Sequence, residues 1–282
     1  MKLKIDHLSR YTYQEKVSLN PHDLYLIPQQ RSYIKILDAQ LDISPNPLGK
    51  NERINAEGNP FYQVWFGEDT SELVVRSSLQ LEISKYNPYG FILHKEVVFP
   101  FDFFVYPDAF KEPLRLFIEG EESNEKLKIY TQNTINQTLD FISFLTLLVA
   151  NIHQDWKHII RMEEGLMTID EMIDQKEGSC RDLSWLLIQM LRSVGLASRF
   201  VSGYAFNPEL DEGHELHAWV EVFLPGAGWI GLDPSLGLLA DQYYIPLACS
   251  FHPLNTLPIY GSYGGTESSH LTSEVIIKEV KD

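Results

Sequence analysis

The sequence predicts an α+β fold, in which a β-rich N-terminal part precedes a core of helices packed on an antiparallel sheet. Alternating segments separated by turn residues occupy the first eighty-odd residues, which is typical of antiparallel strands. From about Thr138, apolar residues recur every three or four positions, which is typical of helices. After Gly195, strand-like apolar segments alternate with turn sequences, which predicts an antiparallel meander behind the last helix.

Length, charge and cysteine usage limit the classes of protein to consider. A chain of 282 residues can build a large core and favours two domains over one. Its net charge of −16 argues against nucleic acid and anionic membrane surfaces as partners, because both would repel it. Two cysteines, Cys180 and Cys249, do not make a disulfide framework. The N-terminus lacks the apolar stretch of a secretory signal, so we expect a cytoplasmic protein with reduced thiols.

The N-terminal residues show the two-residue period of half-buried strands in two places. Apolar residues alternate with polar ones from Leu37 to Ile43 and again from Leu79 to Ile83. Turns rich in proline, glycine and asparagine separate the segments, which suggests a sheet or a sandwich. His7 and His22 are isolated, and we interpret both as structural or surface residues. We therefore expect a β-rich domain over residues 1–85.

Residues 86–137 are predicted to connect this domain to the core. The stretch from Tyr86 to Pro107 is rich in aromatic residues and proline, so we expect an extended segment over residues 85–115 rather than a regular helix. Its aromatic side chains would pack between the two halves or line a substrate groove, and the first use is favoured. The acidic residues 119–125 are expected to open or separate helices. The core, with its C-terminal strands, is then expected to span residues 138–282.

Two helices are predicted before the cysteine. Thr168 and Glu171 have the spacing of a capping box, so a short helix should begin at Ile169 and end near Gly178. A longer buried helix should begin near Thr138. Its expected buried face consists of Leu139, Ile142, Leu145, Val149 and Ile152.

Cys180 opens the next helix, which is the centre of the functional prediction. Gly195 marks its end, because glycine is common just past a helix C-terminus. Unpaired N–H groups and the helix dipole at the first turn favour a negative charge, so a thiol there ionises more readily than a free one. The alternative is a small buried cysteine at a helix start. The apolar stripe of this helix consists of Leu183, Leu186, Leu187, Met190, Leu191 and Val194.

His217 and Asp233 are the candidate partners of Cys180. They lie on consecutive predicted strands, 37 and then 16 residues further along the chain. A cross-strand or diagonal contact would let the carboxylate bond one imidazole nitrogen and leave the other facing Cys180. Two metal hypotheses remain as minor alternatives: a zinc site that uses His214 together with His217, and one built from Cys180, His217 and Asp233.

Four segments resemble the core of the transglutaminase-like (transglutaminase/protease) superfamily, over roughly residues 140–240. They are Gly178-Ser179-Cys180-Arg181-Asp182, Arg199-Phe200-Val201-Ser202-Gly203-Tyr204, His217-Ala218-Trp219-Val220-Glu221-Val222 and Gly228-Trp229-Ile230-Gly231-Leu232-Asp233-Pro234-Ser235. The β-rich start, with His7, Tyr11, Tyr13 and Gly58-Asn59, is more loosely similar to the N-terminal domain of bacterial members. The resemblance implies a papain-like core in which Cys180 is the nucleophile, His217 the general base and later acid, and Asp233 the residue that orients the imidazole.

The function implied is thiol-dependent acyl transfer on peptide or carboxamide substrates. A thioester on Cys180 would pass its acyl group to water, as in a peptidase or amidase, or to an amine, as in a transglutaminase. Hydrolysis is favoured, because no calcium-binding loop like those that cross-linking members need is visible. The Cys180 backbone N–H is one expected oxyanion donor; for the second, Trp156 is a weak candidate and is better interpreted as a core residue. No cofactor is predicted, the oligomeric state is undetermined, and a non-catalytic peptide- or protein-binding module is the alternative.

Overall fold

A computed structural model describes residues 1–120, 124–161, 163, 165–208, 216–265 and 268–280. It is an α+β structure in which two antiparallel β-rich parts flank a group of helices, as the sequence predicts. The strands of the N-terminal part are β1 (Lys2–Leu19), β2 (His22–Leu24), β3 (Ile34–Ser44), β4 (Gly49–Ile54), β5 (Pro60–Trp65) and β6 (Thr70–Ile83). The helices are α1 (Asp108–Ile118), α2 (Glu125–Asn136), α3 (Phe141–Asp155), α4 (Ile169–Gln175) and α5 (Cys180–Ser193). The remaining strands are β7 (Lys157–His158), β8 (Glu177–Gly178), β9 (Ser198–Ala205), β10 (Leu216–Leu224), β11 (Gly228–Asp233), β12 (Leu238–Leu239), β13 (Tyr244–Ser250), β14 (Ile259–Tyr260), β15 (Tyr263–Gly264) and β16 (Ser269–Glu279).

The long strand β1 organises the N-terminal sheet. It pairs with β6 on one side and with the C-terminal strand β16 on the other, and β3 continues the sheet beyond β6. The predicted alternation on β6 is confirmed, because Leu79, Leu81 and Ile83 are all buried. On the edge strand β3 it holds only in part, since Leu37 is 45% exposed. The predicted boundaries at residues 85 and 138 stay a prediction, although β16 lies in the sheet of the N-terminal residues.

The connecting segment differs from the expectation in two respects. Residues 85–115 were expected to contain no regular helix, but α1 begins at Asp108. Pro107 lies at the N-cap, where its missing N–H costs nothing, and Pro113 removes a single hydrogen bond from a helix that is anchored by buried Leu114. Residues 84–107 form no strand and turn at 87–90 and 94–97, so they are irregular rather than extended. They pack on the core, where Phe104 N–H donates to the Val194 carbonyl oxygen over 2.8 Å.

The predicted long helix exists, but its buried face is shifted. Leu139 precedes α3 and is 92% exposed, so its assignment to the core is wrong. Asp140 is the N-cap, and its side chain accepts a hydrogen bond from Ser143 N–H at 2.9 Å. The helix therefore begins at Phe141 rather than near Thr138. The buried face consists of Phe141, Phe144, Leu145, Leu148, Val149 and Ile152.

Helix α5 packs on the central strands of the second sheet, whose order is β12-β11-β10-β9-β13. This confirms the predicted antiparallel meander behind the cysteine helix. Gly195, with a φ of 83°, ends the helix in the left-handed region, as expected from its position. All six residues of the predicted apolar stripe are fully buried.

A buried ion cluster joins the N-terminal residues to this sheet. Glu221, on β10, accepts hydrogen bonds from Arg31 and from Arg199, each over 2.8 Å. Glu221 is 6% exposed, and this burial alone would raise the pKa of its carboxyl group. The two guanidinium charges outweigh burial and hold that pKa below the usual range.

Within the described part of the chain, no helix is both long enough and apolar enough to pass through a membrane.

Candidate active site

The start of α5 is fixed by a buried carboxylate next to the cysteine. Asp182 accepts hydrogen bonds from the Ser179 N–H at 2.9 Å and from the Ser179 hydroxyl at 2.5 Å. Arg161 donates to both carboxylate oxygens over 2.7 Å, and Met167 N–H adds a further bond of 2.9 Å. Burial raises the pKa of Asp182, but these donors outweigh it and lower the pKa. Asp182 therefore positions the first turn and ties Arg161 and Met167 to it.

His217 and Asp233 meet across the β10–β11 hairpin. Val220 pairs with Leu232, so Asp233 lies opposite Trp219 and diagonal to His217. The His217 Nε2 to Asp233 Oδ2 distance is 2.7 Å. The structure thus brings the two residues together by the diagonal contact that the sequence suggested.

Asp233 is held as an anion by four further donors. Its side chain is fully buried, and Oδ2 also accepts the Tyr244 hydroxyl at 2.8 Å. Oδ1 accepts the Ser235 N–H at 2.9 Å, the Ser235 hydroxyl at 2.6 Å and the Leu236 N–H at 3.2 Å. Burial opposes the charged form, but the His217 charge and these hydrogen bonds lower the pKa of Asp233.

Cys180 and His217 shift each other's pKa in opposite directions. Burial works against a charged thiolate, but hydrogen bonds from His158 and His217, with the His217 charge and the Ala218 N–H, lower the pKa of Cys180 to about 6. Burial likewise opposes a charged imidazole, yet Asp233 and Cys180 raise the pKa of His217 to about 10. Since Nε2 is bonded to Asp233, the Nδ1 of His217 is the nitrogen that faces Cys180.

His158 lies at this site but is not identified from the sequence, and the same holds for Tyr244 and Arg161, which bond Asp233 and Asp182. His158 lies on the two-residue strand β7, which pairs in parallel with β8 directly before Cys180. A two-residue strand has no detectable periodicity, so only its chemistry, a histidine 22 residues before the cysteine, could have drawn attention to it.

The cysteine opens into a groove of about 1070 Å³. Cys180 itself is half-buried, and Arg181 and Asp241 add charged groups to the groove wall. The apolar part of the wall includes Ile160, Leu166, Leu236, Leu238, Leu254 and Leu257. The groove is therefore large and mostly apolar, as sites for small molecules or peptide segments generally are.

Of the other residues considered from the sequence, Trp156 and Cys249 lie outside the site. Trp156 is buried, and its indole N–H donates to the Met172 carbonyl oxygen at 2.8 Å. It is therefore a core residue rather than an oxyanion donor, which is the interpretation that the sequence favours. Cys249 is buried in a hydrogen-bonded network with Asn59. Among the described residues, no three or more His, Cys, Asp or Glu side chains are arranged to hold a metal ion. His214 lies outside the described residues.

Two family models match the chain. Residues 3–82 match the bacterial transglutaminase-like N-terminal region, and residues 146–234 match the transglutaminase-like superfamily. These matches identify a transglutaminase-like core that follows a bacterial transglutaminase-like N-terminal region. They support a thiol-dependent enzyme in general.

Relatives extend over the whole chain or over its core. An uncharacterized protein of Mycobacterium tuberculosis is 23% identical over 95% of this transglutaminase-like chain and 90% of the relative. The protein-glutamine gamma-glutamyltransferase of Pseudomonas aeruginosa is 33% identical, but over only 26% of this chain and 12% of that enzyme. A crystal structure of a candidate cysteine protease from Cytophaga hutchinsonii is 18% identical, covers 100% of this chain and 92% of its own, and superposes with a TM-score of 0.73. This last similarity establishes a shared fold.

Proposed function

We propose that the protein is a cysteine-dependent acyl-transfer enzyme that acts on peptide or carboxamide bonds. Cys180 is the nucleophile, His217 the general base and acid, and Asp233 the residue that orients and charges the imidazole. The observation that carries the proposal is the hydrogen bond between His217 and Asp233 in the groove that His217 and Cys180 both line, together with the lowered pKa of Cys180.

The first step is attack by the Cys180 thiolate on the carbonyl carbon of the substrate. The sulfur electron pair forms the C–S bond, and the π pair of the carbonyl moves onto its oxygen. The backbone N–H of Cys180 lies at the first position of α5, where it has no acceptor within the helix. It can therefore donate to the oxyanion.

The second step expels the amine. An oxygen lone pair of the oxyanion re-forms the C=O double bond as the C–N bond breaks. The electron pair of the C–N bond goes to nitrogen, which takes the Nδ1 proton of His217. A thioester on Cys180 and a neutral His217 remain. Asp233, already ionised, holds the ring in the tautomer that can then accept a proton from the incoming nucleophile.

We propose hydrolysis as the main fate of this thioester. Cys180 is partly exposed in a groove that admits solvent, and water then completes the reaction without a second bound substrate. The mostly apolar wall of the groove favours a peptide with apolar side chains near the scissile bond.

Single-turnover mass spectrometry with a peptide library, in the presence and absence of cadaverine, tests this proposal. Cleaved or deamidated peptide would support hydrolysis, whereas peptide linked to cadaverine would identify amine transfer instead. Cys180→Ala is the control, and it should give neither product. Peptides that bind both proteins without conversion would show a binding module rather than an enzyme.

A further inference from the structure

His158 reaches the nucleophile from a rigid support that the triad does not use. Lys157 N–H donates to the Lys176 carbonyl oxygen at 2.8 Å, and Ile159 N–H donates to the Gly178 carbonyl oxygen at 3.0 Å. The backbone on both sides of His158 is thereby tied to the residues that lead into Cys180. These main-chain hydrogen bonds fix the position of the His158 backbone relative to Cys180.

The residue before this pair is anchored in the core. The indole N–H of Trp156 donates to the Met172 carbonyl oxygen at 2.8 Å, and the Lys176 ammonium group lies 3.6 Å from the centre of its ring. Strand β7 is thus fixed at its start as well as along its length. His158 itself is exposed and lines the groove together with Cys180.

His158 pairs with Gly178, two residues before Cys180, and its side chain lines the same groove as the sulfur, where it contributes to the lowered pKa of the thiol. The catalytic carboxylate bonds the other imidazole, because Asp233 Oδ2 lies 2.7 Å from His217 Nε2. The proton-transfer function therefore belongs to His217, and His158 offers a hydrogen-bond donor next to the reacting atom.

We propose that His158 is a further catalytic residue and supplies the second oxyanion donor. This assignment rests on the proposed acyl-transfer function. Before attack, its ring N–H donates to the thiolate. As the C–S bond forms, the negative charge leaves sulfur and appears on the carbonyl oxygen, and the same N–H then donates to that oxygen beside the Cys180 backbone N–H. His158 gives up no proton in this step; the proton that leaves with the amine comes from His217.

Two small reagents separate oxyanion stabilisation from thiolate stabilisation. Acetylation of Cys180 by p-nitrophenyl acetate passes through an oxyanion and has a leaving group that needs no proton. Alkylation by iodoacetamide uses the same thiolate but forms no oxyanion. Both rates are measured at about pH 9, where a thiol with a moderately raised pKa is still largely ionised.

His158→Phe keeps a ring of similar size without a donor, and His158→Gln restores an N–H donor. We expect the phenylalanine variant to lose roughly 100-fold in acetylation rate and less than about threefold in alkylation rate. The glutamine variant should recover to within about tenfold of the unsubstituted protein. The alkylation rate also reports whether each variant retains a folded, accessible site.

Equal losses in both reactions, or no loss in either, would overturn the donor assignment while leaving Cys180 as the nucleophile. Failure of p-nitrophenyl acetate to acetylate Cys180 in the unsubstituted protein would instead overturn the proposed function, and the role of His158 with it.

Discussion

Replacing Asp233 with asparagine should raise the pKa of the Cys180 thiol and slow its reaction at neutral pH. The Asp233 charge raises the pKa of His217 to about 10, and the resulting imidazolium helps to hold the pKa of Cys180 near 6. Asparagine keeps the size of the side chain and an acceptor for Ser235, but it removes the charge. Burial then favours a neutral His217, and Cys180 loses the positive charge that stabilises its thiolate.

The size of the effect follows from the fraction of thiolate at pH 7. A thiol with a pKa of about 6 is about nine-tenths ionised at that pH. If the variant returns to the value of a free cysteine, about 8.5, roughly 3% is ionised. We therefore expect alkylation to slow by about 30-fold at pH 7 and the midpoint of the rate profile to move upward by about 2.5 pH units.

The assay is the second-order rate of iodoacetamide alkylation between about pH 4 and 10, with peptide mapping to assign the label to Cys180. Asp241→Asn is the matched control, because Asp241 also lines the groove but accepts its hydrogen bond from Tyr243 N–H. Its profile should keep the midpoint of the unsubstituted protein. An unchanged midpoint in Asp233→Asn would refute the reasoning that links the carboxylate charge to the thiolate.

Three further predictions concern the stability of the fold. Glu221→Ala leaves two partly buried arginines, Arg31 and Arg199, without their shared carboxylate and should lower the free energy of unfolding by about 3 kcal/mol in urea titrations. Glu72→Ala breaks a largely exposed ion pair and should cost less than about 1 kcal/mol, so comparable losses would contradict the role given to burial. His7 is buried, and burial lowers its pKa from 6.5 to about 4. Between these pH values the unfolded chain therefore binds a proton at His7 that the folded chain does not bind. Stability should therefore fall by up to about 3 kcal/mol as pH drops from 6.5 to 4, and His7→Gln should remove that part of the slope; an identical slope in the variant would contradict this. A Cβ on Gly203 would collide with the Ile245 carbonyl oxygen, so Gly203→Ala should lower the melting temperature and reduce the free energy of unfolding by about 2 kcal/mol. A Cβ on Gly264 would meet no close atom, so Gly264→Ala is the control and should leave both unchanged.

The sequence predicted best what local periodicity controls. The helix after Cys180 carries an uninterrupted apolar stripe, and the strands behind it are separated by clear turns, so both were identified with nearly correct bounds. The candidate triad followed from the same elements. Its diagonal contact could be anticipated from the distances of His217 and Asp233 to the hairpin turn.

The elements that were missed depend on contacts between distant parts of the chain. Strand β1 was not identified, because its alternation is interrupted by the buried polar residues His7 and Ser9. His7 is accommodated there by the hydroxyl of Tyr204, 197 positions along the chain and 2.9 Å from its Nδ1. His158 was missed for a similar reason, since only its pairing with Gly178 places it beside the nucleophile.

The proposal that Cys180 forms a covalent acyl intermediate is tested most directly by rapid acid quench of the reaction with the peptide library, followed by peptide mapping. We predict an acyl adduct on the peptide that contains Cys180, released by hydroxylamine as a thioester and absent from Cys180→Ala. Conversion of peptides without any such adduct, or at an undiminished rate by Cys180→Ala, would contradict the account.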